Sequence, residues 1–163
     1  DKLIRQGTVI ADLGSAPGSW SQVAAKLVGA SGKVFALDIL PMDEVPNVSF
    51  IQGDFQEAEV LVEFVTLLDN RLLDLVICDM APNMSENAVT DQAKSFYLCE
   101  LALDFATEHL KAGGNFLVKA FQGAGYQEYV TAMREIFTTV QTRKPEASRN
   151  RSSEIYLLGK NKH

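Results

Sequence analysis

Short apolar runs that stop at glycine or aspartate alternate along this chain with segments of helical period, and that alternation limits the folds open to it. Thr8 to Leu13 is a β-branched and apolar run closing in Asp12-Leu13-Gly14, and the helical pattern from Ser19 through Val28 stops at Gly29. Lys33 to Leu37 ends at Asp38, and Val48 to Gln52 ends at Gly53-Asp54. Glu57 to Leu68 has helical spacing, Leu73 to Cys78 reads as a strand, and Asp91 to Leu110 reads as a long amphipathic helix closed by Gly113-Gly114. Asn115 to Phe121 is strand-like, Tyr126 to Phe137 helical, and Thr139 to Thr142 and Glu154 to Gly159 supply two final strands. Strands separated by helices imply a parallel sheet with helices on both faces, and two closing strands near in sequence imply an antiparallel edge. The expectation is a doubly wound α/β, Rossmann-like fold forming one domain over residues 1–163.

Composition fits that reading. Hydrophobic residues make up 47% of 163 residues, charged residues 22%, and there are only five prolines, enough apolar matter for a core and no bias toward disorder. The longest apolar stretches have strand length and fall short of the ~20 residues of a membrane helix. No charged-then-apolar leader follows Asp1, so the start reads as a trimmed chain of a cytoplasmic protein. Cys78 and Cys99 lie in apolar patterns outside any CxxC or Cys/His cluster and are expected as reduced core residues. His109 and His163 are far apart in sequence and no Cys/His spacing accompanies them, so no metal is expected. The net charge of −6 is unevenly spread: residues 143–163 hold six basic side chains against two acidic ones, +4, which leaves −10 for the rest. Such a basic end is either a solvated tail or a phosphate-binding face.

In doubly wound sheets ligands bind outside the carboxyl ends of the strands, so residues there carry the functional argument. After the first strand comes Asp12-Leu13-Gly14-Ser15-Ala16-Pro17-Gly18-Ser19-Trp20, where Gly14 and Gly18 permit close backbone approach and a helix N-terminus follows. A dinucleotide loop would read GxGxxG, and Ala16 with Pro17 disfavours NAD. Asp38, after the second strand, suits a carboxylate on a ribose diol or a turn residue. Asp54, after the third, suits an acceptor for an adenine amino group or a helix cap. Asp79, ending the fourth strand, would face both a cofactor and whatever lies beyond it. Lys119 interrupts the apolar run Phe116 to Phe121, and since lysine is almost never buried unpaired it either emerges at the strand end or meets a carboxylate. Glu154 could be that partner. Trp20 is open to a core role or a cofactor contact.

Together these segments resemble the FtsJ (RrmJ) family of ribosomal RNA ribose 2'-O-methyltransferases, along essentially the whole chain. The resemblance rests on residues 12–22, on Asp38-Ile39-Leu40-Pro41-Met42, on Gln52-Gly53-Asp54-Phe55 and on Asp79-Met80-Ala81-Pro82-Asn83-Met84-Ser85. It continues in Lys119-Ala120-Phe121-Gln122-Gly123 and from Arg143-Lys144-Pro145 to Ser153-Glu154-Ile155-Tyr156. It implies an S-adenosylmethionine-dependent fold with a mostly parallel seven-stranded sheet. Gly14 and Gly18 come from the loop itself, and the resemblance places Gly18, Trp20, Asp38, Asp54 and Asp79 on cofactor positions and Asp79, Lys119 and Glu154 on catalytic ones. It also implies a further catalytic lysine in a basic segment before the first strand, which no position here matches, Lys2 lying too late in the pattern.

The implied reaction is methyl transfer to a ribose 2'-hydroxyl, at a uridine of 23S rRNA during ribosome maturation, by a cytoplasmic monomer. Carboxylates flanking Lys119 would favour its charged form, and a charged amine accepts no proton, so Lys119 is expected to orient the hydroxyl and stabilise developing alkoxide charge. Arg143, Lys144, Arg149 and Arg151 are the expected RNA contacts. An NAD-dependent oxidoreductase and a non-catalytic RNA-binding module are the rival readings, the first opposed by the absent GxGxxG.

Overall fold

Each apolar run has the length of a strand buried on both sides, and each forms one. The computed structural model describes residues 3–15, 18–80, 88–144 and 154–163. In chain order the elements are β1 (Val9–Leu13), α1 (Ser19–Val28), β2 (Lys33–Asp38), β3 (Val48–Gln52), α2 (Ala58–Leu68), β4 (Leu73–Cys78), α3 (Ala88–His109), β5 (Leu110–Phe121), α4 (Tyr126–Ile136), β6 (Phe137–Arg143) and β7 (Glu154–Lys162). The seven strands lie in the order β3-β2-β1-β4-β5-β7-β6. Five are paired in parallel from β3 to β5, and β7 runs antiparallel to both β5 and β6. The connection reverses between β1 and β4, the place where such sheets open a crevice.

Side chains alternate across the pleat, and the two faces are covered unequally. Ala11, Leu13, Phe35, Val76, Phe116 and Val118 join residues of α2, α3 and α4 in the larger core. Ile10, Val34, Leu75 and Ile77 meet Ala24, Ala25 and Val28 of α1 in the smaller one. Small residues let α1 lie close on the sheet, and it ends where Gly29 takes a left-handed φ of 66°. Phe64, Phe116 and Phe137 are fully buried, and truncating any of them to alanine would cost about 3–5 kcal/mol. No helix among the described residues is long and apolar enough to cross a membrane.

The expected element boundaries hold within a few residues except at the start of β5. Its strand begins at Leu110, so Gly113-Gly114 lies inside it and does not close α3. Leu73 pairs with Leu110 but Leu75 with Asn115, so residues 111–114 bulge out of the ladder, with Gly113 at a φ of 87°. Asp74 holds the bulge: one carboxylate oxygen pairs with the Lys111 ammonium, and the other accepts the Val9 amide at 2.8 Å. The antiparallel strand is β7, one place in from the edge, with β6 outside it.

Candidate active site

Four strand ends are tied together by backbone hydrogen bonds on one rim of the sheet. The Gly14 amide donates to Leu37 O at 2.8 Å, the Asp79 amide to Leu13 O at 2.9 Å, and the Gly53 amide to Asp38 O at 2.8 Å. These bonds bring Gly14, Asp38, Asp54 and Asp79 to the same rim.

Gly14 has a φ of 84°, and a Cβ there would stand 2.9 Å from the carbonyl of Asp79 and the amide of Met80. Only glycine allows the first loop to pass the β4 end so closely. Gly18 caps α1 at a φ of 109°, where a Cβ would meet Met42 Cγ at 3.0 Å. Ala16 and Pro17, between them, lie outside the described residues. Trp20 is 52% exposed at the start of α1, which removes it from the core. Asp38 Oδ1 accepts the Leu40 amide at 2.9 Å, and Asp54 Oδ1 accepts the Gln56 amide at 2.9 Å. Both aspartates thus shape local turns. The α2 cap position is Glu57.

A cofactor of nucleoside type has donors and acceptors in the right places here. Ser15 is buried, and its hydroxyl has no hydrogen-bond partner among the described residues. A buried polar group without a partner is costly, and a polar ligand seated on the loop would supply one. The glycine-floored crevice, the orphan hydroxyl and two strand-end carboxylates fit S-adenosylmethionine.

Beside the crevice, Lys119, Glu154 and Asp79 converge. Lys119 sits opposite Tyr156 and Phe121 opposite Glu154 in the β5–β7 ladder, so alternation puts Lys119, Glu154 and Tyr156 on one face. The Lys119 ammonium is 2.8 Å from Asp79 Oδ1 and 3.9 Å from Glu154 Oε2. Asp79 Oδ1 is buried and accepts no well-aligned hydrogen bond; its compensation is the ammonium charge. With only 15% of its side chain exposed, Lys119 is held between two carboxylates at the rim, as the sequence suggested.

Two participants were not foreseen. Tyr156 places its hydroxyl 3.5 Å from Asp79 Oδ2, and burial, with the nearby charge of Asp79, pushes its phenol up to about 12. Its signal in the sequence was its position two residues after Glu154. Asp12 is 2% exposed on β1; burial pushes its carboxyl up to about 6, although the Ser21 hydroxyl donates to it at 2.6 Å. The apolar run around it had made it look like a mere strand end.

Arg143 ends β6 opposite Tyr156, and Lys144 follows. Arg149 and Arg151 lie outside the described residues. Cys78 and Cys99 are buried and free, with the Cys78 thiol pushed up to about 12 by burial. His109 packs against Phe105 with ring centroids 4.6 Å apart and planes tilted by 40°, and burial lowers its pKa.

The sheet order, the glycine crevice and the charged cluster on its rim define a Rossmann-like methyltransferase. The FtsJ-like methyltransferase family matches residues 1–162, and the chain belongs to that family. Proteins named ribosomal RNA large subunit methyltransferase E are similar to it. One from Neisseria meningitidis serogroup C is 82% identical over 162 residues, covering 99% of this chain and 79% of its own. One from Chromobacterium violaceum is 72% identical over 160 residues, covering 98% and 78%. Among solved structures, a protein described as a ribosomal RNA methyltransferase from Plasmodium falciparum superposes with a TM-score of 0.83 at 30% identity, covering 97% of this chain and 88% of its own. A protein described as a methyltransferase from Streptococcus mutans, solved with SAH, shares the fold at a TM-score of 0.60 and 14% identity, covering 97% and 88%. The expected methyltransferase class, its fold and its dependence on S-adenosylmethionine accord with these findings.

Proposed function

We propose that this chain methylates a ribose 2'-hydroxyl of large-subunit ribosomal RNA, at a uridine of 23S rRNA, with Lys119, Asp79 and Glu154 as its catalytic residues. The observation that carries the reading is the Lys119 ammonium, 2.8 Å from Asp79 and 3.9 Å from Glu154, at the rim of the Gly14 crevice. The names of the relatives support the RNA class.

S-adenosylmethionine supplies an electrophilic methyl group on a sulfonium. Gly14 and Gly18 admit it to the loop, with Trp20, Asp38, Asp54 and Asp79 as its side-chain contacts. What remains for the protein is to hold the 2'-oxygen in line with that methyl carbon, roughly 3–3.5 Å away. Lys119 donates to the oxygen and stabilises its growing negative charge, a fixed positive group whose orientation Asp79 and Glu154 set beforehand. Held between two carboxylates, Lys119 acts as a donor, and the hydroxyl proton would pass late to solvent water, as the new C–O bond forms and the sulfur–methyl bond breaks. Arg143 and Lys144, with Arg149 and Arg151, hold phosphates on the flank. Because the rest of the chain is acidic, the RNA is met inside a large-subunit particle in the cytoplasm, by a monomer without a metal.

The test begins with titration calorimetry of S-adenosylmethionine, NAD serving as control. Radiolabelled methyl transfer to large-subunit particles follows, with alkaline digestion of the RNA. A 2'-O-methyl group protects the adjacent phosphodiester, so label in an alkali-resistant dinucleotide is expected; label on a base, or NAD binding alone, would overturn the reading.

A further inference from the structure

Asp12 is a buried carboxylate at the crevice with no share in the methyl transfer. It is 2% exposed on β1, between Ala36 of β2 and Ile77 of β4. The Ser21 hydroxyl, itself buried in α1, donates to its Oδ2 at 2.6 Å. That bond joins β1 to α1 across the neck of the loop formed by residues 13–20, which carries Gly14 and Gly18.

Asp12 has no ion-pair partner among the described residues. Asp38 at the end of β2 and Asp79 beyond β4 face it with charge of its own sign. Lys119 answers Asp79 at 2.8 Å, and Cys78 of β4 is a neutral thiol. Lys33 and Asp74 stand toward the opposite ends of β2 and β4, and Lys26 is exposed in the last turn of α1. Burial pushes the Asp12 carboxyl up to about 6, which leaves it ionised at neutral pH. An asparagine would accept the Ser21 bond without burying a charge, so the hydrogen bond alone does not call for a carboxylate.

Charge is what separates the two forms of the cofactor. S-adenosylmethionine carries a sulfonium; once its methyl group has left, S-adenosylhomocysteine has a neutral thioether and is otherwise the same ligand. A buried negative charge without a counter-ion attracts the first more than the second, and the low dielectric beneath the loop preserves its field.

We propose that Asp12 is a specificity-determining residue whose charge makes the site favour the methyl donor over its demethylated product. It acts from beneath the loop, while Ser21 holds it in place. The inference rests on the reading that S-adenosylmethionine occupies the Gly14 crevice.

The test is calorimetry of S-adenosylmethionine and of S-adenosylhomocysteine, each against the parent, Asp12→Asn and Ser21→Ala at pH 7.5. Asp12→Asn should weaken the sulfonium ligand about tenfold and the thioether about twofold or less, as expected for one lost charge at short range. Ser21→Ala loosens the neck and keeps the charge, so it should weaken both ligands by a similar factor. At pH 5 the parent's preference should fall several-fold toward that of Asp12→Asn, whose preference stays level. The amine and carboxylate common to both ligands titrate alike and cancel in the ratio. Equal losses of both ligands in Asp12→Asn, or a parental ratio that ignores pH, would make Asp12 purely structural and overturn the proposal. The parent's own pH dependence decides the matter should Asp12→Asn fail to fold. Binding of neither ligand by the parent would instead remove the cofactor reading, and the inference with it.

Discussion

Lys119 and Tyr156 stand opposite one another in the β5–β7 ladder and reach the same carboxylate, the ammonium 2.8 Å from Asp79 Oδ1 and the phenol 3.5 Å from Oδ2. Asp79 arrives from β4 on the far side of β5, so three strands meet at one charged point.

Replacing Lys119 by methionine keeps the stem and removes the charge. Methyl transfer should fall by about a hundredfold to a thousandfold, the cost of losing one preorganised donor. Calorimetry should show S-adenosylmethionine binding nearly as before. Parallel loss of cofactor binding would make Lys119 a structural counter-ion.

Tyr156→Phe should do far less. A 3.5 Å contact is a weak hydrogen bond, worth at most about 1 kcal/mol, so kcat should drop by no more than roughly fivefold. With its phenol pushed up to about 12, Tyr156 is neutral at working pH, and the pH–rate profiles of the two proteins should overlay.

Asp12 gives stability a pH signature. Its carboxyl is raised from the ordinary 3.8 to about 6, so between these values the folded state holds a proton that the unfolded state has lost. Stability from this group is therefore present at low pH and declines as pH rises through about 6, by on the order of 3 kcal/mol. Urea denaturation of the parent and of Asp12→Asn at pH 4.5 and pH 7 checks the sign: the variant should gain relative to the parent at the higher pH. A parent that gains stability relative to the variant on going to pH 7 would contradict it.

Gly14→Ala combines a backbone penalty with a collision against the Asp79–Met80 peptide. A loss of about 1–3 kcal/mol is expected for the strained φ alone, with S-adenosylmethionine binding weakened as the β4 end is displaced. Thermal melting and calorimetry read the two effects separately.

Arg143→Ala and Lys144→Ala should each weaken RNA binding uniformly across sequences and lower the slope of log K against log salt by about 1. Slopes that do not move would remove β6 from the RNA surface.

The centre of the sheet was legible because β1, β2 and β4 are buried on both sides, so apolar run length carries the signal. The rim residues were legible for a related reason: Asp38, Asp54 and Asp79 end such runs, and Lys119 interrupts one. The bulge at residues 111–114 was not, since a glycine pair after a helix has the same local signature whether it stops the chain or lets a strand kink. Nor did sequence reveal that β7 inserts between β5 and β6, because order in a sheet is set by long-range pairing. Tyr156 was overlooked for want of the ladder that seats it beside Lys119, and Asp12 because nothing local distinguishes a buried aspartate from one at a surface turn.

The insertion of β7 also makes one strand serve two ends. It carries Glu154 and Tyr156 to Lys119, and β6 is bonded to the sheet only through it. Any opening that detaches β7 bares the edge of β5, frees β6 and strips Lys119 of two of its neighbours at once. The charged cluster and this flank of the sheet therefore stand or fall as one cooperative unit.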